Sequence, residues 1–113
     1  MIVTNILGTD YAVRFTDTND PALKRNDGIC CVYAKEIVLR KKDDLFSGGE
    51  SRDVRDARFD EVLLHEIIHA YARETGNSFD DDEELVEYLA FMIPKMVKSY
   101  DDCMKKFKET GEL

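Results

Sequence analysis

His65 and His69 stand four residues apart, with Glu66 directly after the first, and they are the only histidines in the chain. Four residues is slightly more than one helical turn, so on a helix both imidazoles leave the same face and can grip one metal ion. Glu66 then projects about 100° away, beside the position such a metal leaves open. Zinc hydrolases use this arrangement: two ligands and a general base carried on one helix. With two histidines and ten glutamates in 113 residues, chance gives the spacing roughly 2% of the time, and Glu in the second slot in roughly 9% of those cases. Two satisfied core histidines, or an exposed polar stripe, are the bland alternatives. Burying Glu66 among its apolar neighbours without a metal or a partner would be costly, which weighs against them.

Zinc takes a third protein ligand and leaves the fourth position to water. The acidic run Asp80-Asp81-Asp82-Glu83-Glu84 begins a second helical stretch through Leu85-Val86-Glu87-Tyr88-Leu89-Ala90-Phe91-Met92-Ile93. Acids at a helix start are favoured by the macrodipole, so most of the run needs no other role. Glu83 and Glu87, however, are one turn apart on the edge of the side carrying Val86, Leu89, Ala90 and Ile93, which is the side expected to meet the core. One of the two can ligate a metal while the other orients a ligand histidine.

The elements that must position these groups divide near residue 50. Before it, Ile2-Val3, Tyr11 to Phe15, Ile29 to Tyr33 and Glu36 to Arg40 read as three or four short, mostly antiparallel strands, with a turn around Gly8-Thr9-Asp10. The last two form a hairpin turning near Ala34-Lys35. Asp17 to Gly28 reads as a loop, and Phe46 to Ser51, holding Gly48-Gly49, as a flexible connection. From about Asp53 or Asp56 the apolar residues Phe59, Val62, Leu63, Leu64, Ile67, Ile68, Ala70, Tyr71 and Ala72 spread over more than one helical face. This predicts a buried central helix that stops at Gly76-Asn77-Ser78. Pro94 predicts a kink or break in the second helix, followed by a further helix through Met96, Val97, Tyr100, Met104 and Phe107. That Met and aromatic stripe reads as core or interface. The expected fold class is therefore α+β, one domain over residues 1–113, with strands in 1–50 and helices in 53–113.

Leu64-His65-Glu66-Ile67-Ile68-His69-Ala70, taken with Glu83-Glu84-Leu85-Val86-Glu87-Tyr88-Leu89-Ala90, resembles the small zincin-type metallopeptidase proteins of phages and prophages. These are similar in outline to the minimal core of gluzincins and of ImmA/IrrE-type metallopeptidases. The resemblance covers roughly residues 60 to 97 and implies a small zincin-like fold, a bound Zn2+, and a peptide or protein substrate. It makes His65, His69 and Glu83 the metal ligands, Glu66 the catalytic base, and Glu87 a carboxylate on a ligand histidine or an alternative ligand. The chain departs from the larger enzymes in having Glu rather than Asp at 87 and no separate domain to close a cleft. Zinc so held would polarise a scissile carbonyl and lower the pKa of its bound water towards about 7. Glu66 would take the water's proton and pass it to the leaving amine. The substrate would lie extended beside an edge strand, either Ile29 to Tyr33 or Glu36 to Arg40. Tyr71, Tyr88 or Tyr100 could stabilise the oxyanion, with no spacing that selects among them. A second function fits the same residues: a non-catalytic zincin-fold binding protein, a phage or prophage regulator, that retains zinc. In a third, a fourth protein ligand closes a purely structural zinc site.

Composition narrows the remainder. A net charge of −8 without a basic cluster argues against a nucleic-acid partner. No stretch approaches the roughly 20 apolar residues of a membrane span. The N-terminus lacks the features of a secretory leader, and Cys30, Cys31 and Cys103, an odd count with no Cys-x-x-Cys pair, read as reduced thiols, so the expected location is cytoplasmic. The expected assembly is a monomer or a weak homodimer.

Overall fold

The computed structural model describes residues 1–17, 20–45, 51–77 and 81–112, which form four strands and two long helices. Strands β1 (Ile2–Ile6) and β2 (Thr9–Thr16) make one hairpin, β3 (Gly28–Cys31) and β4 (Glu36–Arg40) another, and the two lie side by side in the order β1-β2-β4-β3. The pairing within each hairpin is antiparallel, while β2 and β4 run parallel, Val13 opposite Ile37 and Phe15 opposite Leu39. The first turn is tighter than the sequence reading and one residue earlier. Leu7 and Gly8 both take positive φ, 51° and 93°, as a two-residue turn matched to strand twist requires. The expected connection at Phe46 to Ser51 falls, up to residue 50, outside the described residues, as do Ser78 and Asp80.

β4 is interior, and Ile37, Val38 and Leu39 are at most 1% exposed. An apolar run buried on both faces is the signature of a central strand. The alternative of Glu36 to Arg40 as a free edge is thereby corrected, since both its sides are hydrogen-bonded and the edges are β1 and β3.

Helix α1 (Arg52–Glu74) is capped by the Ser51 side chain, which accepts from the Val54 amide. One of its sides joins the core formed by Ile6, Tyr11, Val13, Ile37 and Leu39, contributing Val62 and Ala70 with Phe59, Leu63 and Ile67 beside them. Another side carries Ile68 and Leu64 against Val86, Ala90, Leu89 and Ile93 of helix α2 (Glu83–Thr110). Packing on two sides accounts for the apolar residues that span several of its faces. Its C-terminal end is tied down by Glu74, which accepts from the Thr9 hydroxyl (3.0 Å), the Tyr11 hydroxyl (2.7 Å) and Lys35 Nζ (2.7 Å). The Lys35 and Tyr11 bonds hold this carboxyl at about 2, and burial together with Glu74 pushes the Tyr11 phenol up.

The break expected at Pro94 does not occur: α2 is one 28-residue helix with Pro94 inside it. Proline removes a single bond from a ladder that is otherwise long, and good helix formers such as Lys95, Met96 and Lys98 follow it. The helix starts on Asp82, whose side chain accepts from the Leu85 amide, so the acidic run caps the helix as well as opening it. Gly111, in the left-handed region at φ 73°, ends it. No helix among the described residues is long and apolar enough to cross a membrane.

Candidate metal centre

α1 and α2 form a helical hairpin that brings the two motif segments face to face. His65 Nε2 lies 3.2 Å from His69 Nε2 and 3.0 Å from Glu83 Oε2, and Glu83 Oε1 lies 2.8 Å from His69 Nε2. Glu87 Oε2 is 2.7 Å from His65 Nδ1. A carboxylate there accepts the Nδ1 proton, which in a neutral ring leaves Nε2 with its lone pair exposed. That nitrogen faces the Glu83 carboxylate and the Nε2 of His69, three groups each able to offer a lone pair to one cation. Zinc at 2.0–2.1 Å from each of three tetrahedral ligands sets the ligand atoms ~3.3 Å apart, close to the spacing found here. The three residues therefore fit a zinc ion on both donor chemistry and distance, and among the described residues they form a group whose ligand atoms lie within 4.8 Å of one another.

Glu66 is 6% exposed and has its carboxyl pushed up, first by burial, with His65 and His69 pulling the other way. A buried carboxyl of raised basicity suits proton transfer near neutral pH. It lines two recesses that share Asn26, Gly28, His65 and Glu83 and flank the histidines. The first, of about 200 Å³, continues past Asp27, Arg58, Glu61 and Glu87; the second, of about 330 Å³, runs along Ile29, Cys30 and Val32 past His69. Together they form a groove beside the edge strand β3, polar at one end and more apolar at the other.

Three contributors escaped the sequence reading. Glu61, one turn before His65 on the same helical face, is hydrogen-bonded to Glu87. That bond and burial raise its own carboxyl. Burial pulls Glu87 up, but the bond from Glu61 and the nearby His65 outweigh it and hold Glu87 below the ordinary range. The bond from Glu61 favours the charged form of Glu87, the carboxylate that receives His65 Nδ1. The repeat Glu61, His65, His69 at four-residue spacing is the signal that could have found it. Gly28 is the second: a Cβ there would meet Val62 Cγ1 at 3.0 Å, Leu39 Cδ2 at 3.1 Å and Glu66 Cγ at 3.2 Å, so any side chain would make these neighbours give by a few tenths of an ångström for β3 to lie this close to Glu66. Asp27 is the third, bonded to Arg58 (3.0 Å) and Arg40 (3.3 Å), which pins the start of β3 to α1 and β4.

Tyr71, Tyr88 and Tyr100 line neither recess and are 42%, 58% and 65% exposed. The side-chain donors that line the groove are instead Asn26, on both recesses, and Arg58. Cys30, Cys31 and Cys103 are unbridged.

The chain matches no protein-family model, no curated protein and no solved structure.

Proposed function

We propose that this protein is a zinc-dependent peptidase of the zincin type, with His65, His69 and Glu83 as metal ligands and Glu66 as general base. The observation that supports it most is the convergence of two imidazole Nε2 atoms and one carboxylate beside a buried glutamate, all on one groove. Zinc, when bound, would supply Lewis-acid polarisation of a carbonyl and acidify a water. Glu66, already basic through burial, would take that water's proton and return it to the departing amine. Glu87 would fix the ring and tautomer of His65, and Glu61 would keep Glu87 charged. An extended peptide would pair with the free edge of β3, its side chains falling alternately into the groove. Asn26 and Arg58, which line the groove, would be the side chains available to donate to a developing oxyanion.

A second reading, a zinc-retaining zincin-fold binding protein that captures a partner without cutting it, is favoured by how open the site is. The Glu83 and Glu87 side chains are 67% and 50% exposed, and water-excluded sites are the ones in which such chemistry gains most.

The test is zinc titration of the metal-stripped protein together with cleavage of an internally quenched peptide library, for wild type and Glu66→Gln. The peptidase takes up one zinc per chain and cleaves. Glu66→Gln retains zinc and loses about 10²–10⁴-fold in rate. Zinc uptake without cleavage by wild type selects the second reading, and failure to take up zinc ends both.

A further inference from the structure

The outer half of α2 continues, at seven-residue intervals, the apolar stripe that its inner half buries. Val86 is fully buried against α1 and Ile93 partly so, while Tyr100 and Phe107 on the same line are 65% and 43% exposed. Met96 and Val97, 55% and 51% exposed, flank them, as does the exposed Cys103. Helices sustain a seven-residue apolar repeat where another helix covers it. Among the described residues no other element packs over residues 96–107, where all but the half-buried Met104 are exposed.

We infer that the covering element is a second copy of the same helix, packed antiparallel. The distribution of charge along the chain selects it. From Lys95 to Glu112 five lysines face four acids, a balance of +1, so of the chain's net −8 the remainder carries −9. The outer helix is thus the part of the molecule where two copies can meet without strong repulsion, and an antiparallel overlap sends the two acidic bodies to opposite ends. The charges also alternate in blocks along the helix: Lys95 and Lys98, then Asp101 and Asp102, then Lys105, Lys106 and Lys108, then Glu109 and Glu112. Reversing one copy about Met104 sets the Asp101–Asp102 pair of each level with the 105–108 lysines of the other, and Lys95 and Lys98 level with Glu109 and Glu112. Asp101 and Lys108 share one flank of the stripe, so they meet across the seam. Parallel packing would stack like on like. Bonds within one helix, such as Lys106 to Asp102 at 2.9 Å, use part of this pattern but leave the apolar stripe uncovered. The stretch from Lys95 to Thr110 is about 24 Å long and 10 Å wide, roughly 250 Å² per copy and well below the ~800 Å² of a tight interface. The dimer is therefore weak and dependent on concentration.

The inference is independent of the metal site and is tested by sedimentation of the full chain over a concentration series. Wild type shifts from 13.0 kDa toward twice that mass as concentration rises. Tyr100→Glu, at an exposed position that leaves helix content and melting of the dilute protein unchanged, weakens association at least tenfold. Asp101→Lys and Lys108→Asp each weaken it about threefold, and the double exchange restores it. A wild type that stays monomeric at millimolar concentration overturns the inference, as does a dimer indifferent to Tyr100→Glu. Failure of the double exchange to restore association overturns the antiparallel arrangement.

Discussion

The inner and outer halves of α2 carry the same seven-residue stripe and do different things with it. Between Glu83 and Ile93 the side turned to α1 is occupied: Val86 and Ala90 are buried against α1, and Glu83 and Glu87 reach the histidines. From Met96 to Thr110 the side chains are largely exposed. Amphipathic pattern therefore specifies that a helix has a side to bury, while the partner that buries it depends on what the rest of the chain places alongside. Only the inner half lies beside α1 closely enough to become a site.

Ligand removal in the inner half breaks this contrast most strongly. His69→Ala is expected to lower zinc affinity more than 100-fold, beyond the range typical of residues that only support a ligand, as read by competition with a chromophoric chelator. Glu87→Gln, which keeps Glu83 and both imidazoles but weakens the hold on His65 Nδ1, is expected to lower it about 10- to 100-fold. A larger loss for Glu87→Gln than for Glu83→Gln would exchange their roles.

A matched pair of substitutions sharpens the comparison in stability. Val86→Ala, at a position that is fully buried, should cost about 2 kcal/mol in denaturant unfolding. Val97→Ala, 51% exposed on the same helix, should stay within about 0.5 kcal/mol in dilute protein. Equal costs would mean that the outer half is already packed within the monomer.

The smallest effect concerns acid. Glu74, held at about 2 against an ordinary 4.5, contributes stability that is complete above about 4.5 and lost as pH falls towards 2. Glu74→Gln should therefore lower the melting temperature at neutral pH, with the difference from wild type shrinking as the solution is acidified. A difference that does not change with pH would show that the carboxylate charge is not what anchors the end of α1 to Tyr11 and Lys35.

The site was legible where its chemistry is local. His65, Glu66 and His69 are related by helical spacing alone, and so are Glu83 and Glu87, which made their sharing of a face readable before any packing was known. The limits of β4 and the interior position of α1 were also readable, because a β-branched run and an apolar surface on several sides are properties of short segments. Pro94 misled because a local penalty, one lost hydrogen bond, was given more weight than the ladder around it. Glu61 went unread although its spacing to His65 is local, since an acid on a helix face is ordinarily solvated. Its bond to Glu87 exists only after the hairpin closes.

By itself the sequence determined which groups share a helical face and which faces need covering, since those follow from the 3.6-residue turn. Tertiary structure alone decided that β2 and β4 run parallel, that β3 rather than β4 is the free edge beside the groove, and that Gly28 lets this edge approach Glu66. It also decided that Asp27 fastens the same strand to Arg58 and Arg40. These depend on which distant segments pair, and strand pairing is set by the packing of both sheet faces at once rather than by any single stretch of chain.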